Sequence, residues 1–234
     1  MQDAIVPLVR FTSERPGSAT VLDALGTAFF VDESGILLTL ASLLRDAGRD
    51  ASLGLVVRIR DGRTPHAVVP IVEFESADAP WDIAIGRADV ASRRAFSLAH
   101  VEAQPLLGRE LGTLGCIALD RSKDARSPLP VFRAHSGCVL RESSASPGRA
   151  PAIDLAFGVP SLLRGAPVFV HERPIAKLVA ICAGNGSLGD LRYPGVFGEP
   201  DATRRDAHGV AFDLRGLGPW RPKLLAGRSL REIC

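Results

Sequence analysis

Five histidines, four cysteines and one glycine-patterned loop are the residues of this 234-residue chain whose types and spacing could do chemistry. His66, His100, His135, His171 and His208 never fall at metal-binding spacing with one another or with the cysteines. No metal site is expected, and these rings are read as surface or hydrogen-bonded core residues. Cys116, Cys138, Cys182 and Cys234 are scattered without a Cys-x-x-Cys pair. A thiol becomes nucleophilic when a basic neighbour lowers its pKa, and Cys182 and Cys138 are the candidates for such a role. Gly184-Asn185-Gly186-Ser187-Leu188-Gly189 matches the Gly-x-Gly-x-x-Gly pattern of a dinucleotide loop. That site needs a helix N-terminus to hold the pyrophosphate. Pro194 and Gly195 come too soon for such a helix, so a plain loop is expected, with no cofactor.

The elements that would position any site read mostly as strands. Short apolar or alternating runs are separated by Gly, Pro and Asp turns from end to end. Ile5–Phe11, 26–31, Ile36–Thr39, 55–59, 67–74 and 83–86 read as strands of a first lobe. Asp32-Glu33-Ser34-Gly35 between two of them is a hairpin turn signal. Residues 111–119, 131–134, 137–141, 153–157, 167–170, 175–182 and 210–213 supply a second lobe. Helix signals are sparse: residues 41–47 form one short candidate and 222–233 a terminal one. Residues 99–108 fit an interlobe linker, and Ser143 to Pro151, rich in Ser, Pro and Gly, read as a loop. Short strands at this spacing indicate all-β barrels or sandwiches.

Composition narrows the function classes. Twenty-eight basic residues against 26 acidic ones leave a net charge of +2, which argues against an electrostatic nucleic-acid binder. Hydrophobic residues make up 46% of the chain, ample for a buried core. No apolar run approaches the roughly 20 residues that a membrane-spanning helix needs. Met1-Gln2-Asp3-Ala4 does not open a signal peptide, so the expectation is a cytoplasmic protein with reduced, buried thiols.

Three motifs give a sharper reading. Gly26-Thr27-Ala28-Phe29-Phe30-Val31, followed by Leu37-Leu38-Thr39-Leu40-Ala41-Ser42-Leu43, resembles the Gly-Thr-Gly-Phe…Leu-Thr-Ala-Ala-His-Val frame of trypsin-like serine proteases. Trp81-Asp82-Ile83-Ala84-Ile85 is similar to the family's Asp-Leu-Ala-Leu block, and Leu162-Leu163-Arg164-Gly165-Ala166-Pro167-Val168 to its Gly-Asp-Ser-Gly-Gly-Pro-Val loop. The motifs occur in the family's order and spacing. The resemblance runs from about Ile5 to Leu217, and His208 to Leu214 looks like the closing strand of bacterial members. It implies an all-β fold of two Greek-key six-stranded β-barrels with a short C-terminal helix. The implied units are 1–100, an N-terminal barrel; 101–220, a C-terminal barrel; and 221–234, a tail or helix.

The same resemblance places Ser42, Asp82 and Arg164 where the family has its histidine, aspartate and serine. Serine cannot shuttle a proton near neutral pH as histidine does. Arginine stays protonated and offers only donors, so it is no nucleophile. Leu162 stands where the family has a glycine in the oxyanion loop, and a side chain resists positive φ. Asp82 is read as a buried carboxylate capping nearby amides or facing Ser42, and Arg164 as filling the old cleft and reaching Asp82. The implied protein is a pseudoprotease: inactive, bacterial, and acting as a regulatory or scaffold subunit in a hetero-complex, in a defence or stress-signalling system. Its binding residues are read as Arg164 in the cleft and Arg228 and Arg231 on a basic tail, whose Leu224, Leu225, Leu230 and Ile233 pack on the second lobe. The alternative is a noncanonical peptidase that uses a cysteine or is completed by a partner's residue.

Overall fold

A computed structural model describes residues 2–15, 18–45, 52–58, 66–90, 96–98, 105–120, 128–146, 148–172, 175–186 and 208–233. Strands β1 (Ile5–Arg15), β2 (Ser18–Phe30), β3 (Ile36–Leu40), β4 (Ser52–Arg58), β5 (His66–Ser76) and β6 (Ile83–Ala88) form a closed barrel in the order β1-β2-β3-β6-β5-β4. All its pairings are antiparallel. The chain runs from β3 across the barrel to β4, beside β1, which makes the connection Greek-key. The β2–β3 turn is the expected one. Asp32 Oδ1 accepts the Ser34 and Ile36 amides at 2.8 and 3.1 Å, so the aspartate folds the turn on itself. The short helix α1 (Ala41–Arg45) follows β3 directly.

Strand β7 (Ser97–Leu98) is followed by β8 (Glu110–Asp120), β9 (Leu129–Ser143), β10 (Ala152–Leu155), β11 (Pro167–Glu172), β12 (Ile175–Asn185) and β13 (Gly209–Asp213). The last six close a second ring, β11-β8-β9-β10-β13-β12, through the β11–β12 pairing, and β7 adds to β12 in parallel. Two strands expected at 131–134 and 137–141 are one. Backbone pairing with β8 carries β9 through Ala134–Gly137, where the side chains give no apolar signal. Of the expected linker, residues 99–104 lie outside the described residues, while Leu106 is buried in the second barrel's core. In the expected loop, Ser143 Oγ holds Ala152 and Ser146 bridges to Arg149.

Strands β3, β10 and β13 are buried along their whole length, while β9 alternates over much of its length. Leu8, Phe29, Leu38, Leu40, Leu55, Ile83 and Ile85 fill the first barrel. Leu111, Ile153, Leu155, Val168, Val179 and Ala211 fill the second. Each such Val, Leu, Ile or Phe side chain contributes about 1.5–3 kcal/mol by leaving water. Aromatic rings stitch the two cores together. Phe96 meets Phe29 edge-on at 5.6 Å and stacks on Phe169 at 6.2 Å.

The C-terminal segment corrects one expectation. Instead of one helix over 222–233 there is a 3-10 turn at Lys223–Leu225, then helix α2 (Leu230–Ile233). Ala226 and Gly227 stand at φ 52° and 86°, which interrupts the helical path between them. Leu225 and Leu230 belong to a core cluster shared by both barrels, with Ile83 and Ile85 of β6 and Leu178, Ile181 and Phe212 of the second ring, and the Lys223–Leu225 turn packs on β5 and β6. Among the described residues, no helix is long and apolar enough to cross a membrane.

Candidate functional site

Ser42, Asp82 and Arg164 come together at the junction of the barrels, from three distant parts of the chain. Ser42 is delivered by α1, whose first turn leaves amides without helical partners. Asp82 sits at the mouth of β6 and supplies those partners. Its Oδ1 accepts the Ser42 amide at 2.7 Å, its Oδ2 accepts the Ser42 hydroxyl at 2.6 Å, and its backbone oxygen accepts the Ala41 amide at 3.1 Å. The capping role expected for Asp82 is the geometry found.

Two guanidinium groups flank this pair. Arg164 donates from Nη2 to Ser42 Oγ at 3.1 Å and from Nε to Ala183 O at 3.2 Å. The expected reach of Arg164 to Asp82 runs through the serine hydroxyl, which accepts from Arg164 and donates its own hydrogen bond to the carboxylate. Arg45 donates to Asp82 Oδ1 at 3.1 Å. Sequence reasoning missed Arg45; its only sequence signal is its place three residues beyond Ser42, one turn of α1 away. Asp82 is fully buried, and burial raises its carboxyl above the ordinary range. The Ser42 hydrogen bonds, then the charges of Arg45 and Arg164, oppose that rise.

Arg164 itself is placed by glycine and threonine. The preceding residues wind into a 3-10 turn, Ser161–Leu163. Leu162 thus avoids positive φ, which Ala226 alone adopts among the described non-glycine residues. Gly165, at φ 82°, turns the chain, and a Cβ there would meet Thr27 O at 2.1 Å. Thr27 ties the turn to the barrels. Its amide donates to Arg164 O at 2.8 Å, and its hydroxyl donates to Leu162 O at 2.8 Å and accepts from the Cys116 amide at 3.1 Å. Thr39 Oγ1 in turn donates to Thr27 O at 2.9 Å. The glycine-threonine motif thus has a positional task independent of any proton transfer.

The chemical capacity of this arrangement is narrow. Ser42 is 2% exposed, so its hydroxyl is shielded from an incoming carbonyl. An oxyanion hole of the triad type uses the amides of the nucleophile residue and of the residue two before it. Here the Arg164 amide faces Ser161 O at 3.3 Å, inside the 3-10 turn. One amide that such a hole would use is thus engaged within the chain.

The other candidates lie elsewhere. Cys182, on β12, is fully buried beside Thr113, and burial pushes its thiol up to about 12. Cys116 is likewise pushed up to about 11. Cys138 is exposed on β9. His66 opens β5 opposite Arg58, and His135 on β9 stacks on Phe157 at 6.1 Å. Among the described residues, no group of three or more His, Cys, Asp or Glu could hold a metal ion. Gly184 and Asn185 are paired in β12 with β13, while residues 187–189 of that motif lie outside the described residues. Arg228 and Arg231 are exposed on the C-terminal segment.

No family model matches the chain, and no curated protein matches it. Solved structures do. The MamO protease domain from Magnetospirillum magneticum superposes with a TM-score of 0.59 at 11% identity, covering 92% of this chain and 93% of that one. A variant of the HtrA-type protease AlgW with a decapeptide superposes with a TM-score of 0.56 at 14% identity. That match covers 91% of this chain, which spans 60% of the AlgW chain. The fold is the trypsin-like double β-barrel.

Proposed function

We propose that this chain is a catalytically inactive member of the trypsin-like protease group that works by binding protein, as a regulatory or scaffold subunit of a hetero-complex. The observation that carries the reading is the closed polar chain from Arg164 through Ser42 to Asp82. In a triad, a hydroxyl faces an imidazole and the imidazole a carboxylate. Here a permanently charged guanidinium occupies the hydroxyl's end, and a buried serine occupies the middle. The Arg164 amide, turned onto Ser161 O, removes one donor from the place where an oxyanion would form.

Loss of chemistry leaves binding intact, because a β-barrel core does not depend on cleft side chains. An extended segment can add to strand backbone without a nucleophile, and a decapeptide accompanies the AlgW variant of this fold. The cysteine alternative has little support at Cys182, whose buried thiol stays protonated. Bacterial defence or stress signalling, in the cytoplasm, is the setting we propose from the sequence resemblance.

The double variant Ser42→His with Arg164→Ser tests the reading. It rebuilds the triad's side chains beside Asp82 but leaves Leu162 and the Ser161–Leu163 turn in place. A folded protein with little or no peptide hydrolysis is expected. Robust turnover would show that the turn opens readily and that only two side chains stand between this chain and a protease. For the partner, quantitative pull-downs from native cells should recover one reproducible protein with wild type, and less of it with Arg164→Ala or with Arg228→Glu/Arg231→Glu. A lone monomer in native cell extract would leave the scaffold reading without support.

A further inference from the structure

We infer that residues 214–233 form a strap that fixes the turn carrying Asp82, so that docking of the C-terminal segment and closure of the Asp82 cleft are energetically coupled. Asp82 closes a tight turn, held internally by Ala77 N to Ile83 O at 2.9 Å and Trp81 N to Asp78 O at 3.1 Å. The strap touches both that turn and the strand that leads into it. On one side, a methyl group placed on Gly216 would lie 3.5 Å from Pro151 and 3.6 Å from the Trp81 ring, so the strap backbone packs on the residue before Asp82 as well as on the second barrel. On the other, the Leu224 amide donates to Glu75 Oε2 at 3.2 Å, at the end of the strand leading into the turn. Leu225 and Leu230 are 1% and 0% exposed, in one cluster with Ile83, Ala84 and Ile85.

The strap is also preformed. Asp213 caps its first turn by accepting the Arg215 amide, and Glu232 Oε2 accepts both the amide and the hydroxyl of Ser229 at the start of α2. Leu230 N reaches back to Trp220 O at 2.8 Å and Arg231 N to Gly218 O at 3.1 Å, closing the segment into a clasp. Such a clasp docks or leaves as a unit, the behaviour expected of a locally cooperative element. Its apolar residues enter the cluster shared by the two barrels, while Arg221, Lys223, Arg228 and Arg231 are exposed. Anything that draws the strap away withdraws support from Trp81, and with it the carboxylate that holds the Ser42 amide and Arg45. By linkage, a ligand that needs the cleft open weakens strap docking by the same factor.

The chain's two tryptophans, Trp81 and Trp220, both lie in this contact, so intrinsic emission reads strap docking directly. Hydrogen exchange at the Ser42 amide reads the cleft, with the Leu55 amide in the first barrel and the Cys182 amide in the second as references. In Leu225→Ala/Leu230→Ala, red-shifted emission and exchange at Ser42 faster by roughly tenfold or more are expected, with Leu55 and Cys182 unchanged. Glu75→Gln, which keeps the core intact, should accelerate Ser42 about threefold, since one hydrogen bond to a charged acceptor is weakened; it decides the matter if the leucine variant does not fold. Unchanged Ser42 protection in a variant whose emission has shifted would overturn the coupling. So would equal acceleration at all three amides, or unshifted emission in both variants.

Discussion

Replacing Thr27 with valine removes one hydroxyl that serves two buried backbone groups at the barrel junction. Thr27 is fully buried; its Oγ1 donates to Leu162 O at 2.8 Å and accepts from the Cys116 amide at 3.1 Å. Valine keeps the shape, so no cavity opens, but both backbone groups lose their partner. An unsatisfied buried group costs about 1–3 kcal/mol; taking about 1.5 for each gives about 3 kcal/mol. The methyl that replaces the hydroxyl returns about 0.8 kcal/mol, leaving a net loss near 2 kcal/mol. Urea unfolding should show this as a lower midpoint at unchanged slope. Thr39→Val is the internal standard. It removes one hydrogen bond, to Thr27 O, and should cost about half as much. If Thr27→Val lies within about 0.5 kcal/mol of wild type, the polar crossing does not hold the Arg164 turn, and the positional role given to the glycine-threonine motif is wrong.

Three further outcomes follow from the same geometry. Gly165→Ala places a Cβ 2.1 Å from Thr27 O at φ 82°, and should cost more than about 3 kcal/mol in urea unfolding or abolish soluble folded protein. The folded pKa of Asp82 is raised above its unfolded value, about 3.9. Its stabilising contribution is therefore complete below that pH and is lost as pH rises through the folded pKa. The stability of wild type minus that of Asp82→Asn should fall as pH is raised from about 3.5; a difference that grows instead would place the carboxyl below its ordinary range. Alkylation at pH 8 should mark exposed Cys138 well before Cys182, whose thiol is held near 12. Early labelling of Cys182 would revive the cysteine alternative.

Much of this architecture was legible because strand alternation and turn chemistry are local. The Asp32–Gly35 turn announced itself through an aspartate able to bind the amides that follow it. A break was expected within β9 because Ala134-His135-Ser136-Gly137 carries no apolar signal; the strand is continuous because its pairing comes from the partner, β8. The C-terminal segment was misread for the converse reason. Leu224, Leu225, Leu230 and Ile233 suggest a helical stripe, but Ala226 and Gly227 take positive φ and bring Leu225 and Leu230 into the core cluster shared by the two barrels. At the site, motif order and spacing sufficed to bring Ser42, Asp82 and Arg164 together. Arg45 lies 37 residues from Asp82 along the chain, and nothing in its local sequence marks it as that carboxylate's partner. The fate of the Arg164 amide was equally hidden, since a main-chain donor's direction is set by the turn and not by residue type.

The most direct test of an inactive cleft is covalent labelling of the intact wild-type chain with a fluorophosphonate probe, mapped by mass spectrometry alongside a broad peptide-cleavage screen. No serine adduct and no cleavage are expected, because Ser42 is buried between Asp82 and Arg164 and the Arg164 amide faces Ser161 O. A stoichiometric adduct on any serine, with peptide cleavage lost when that serine is replaced by alanine, would contradict the account.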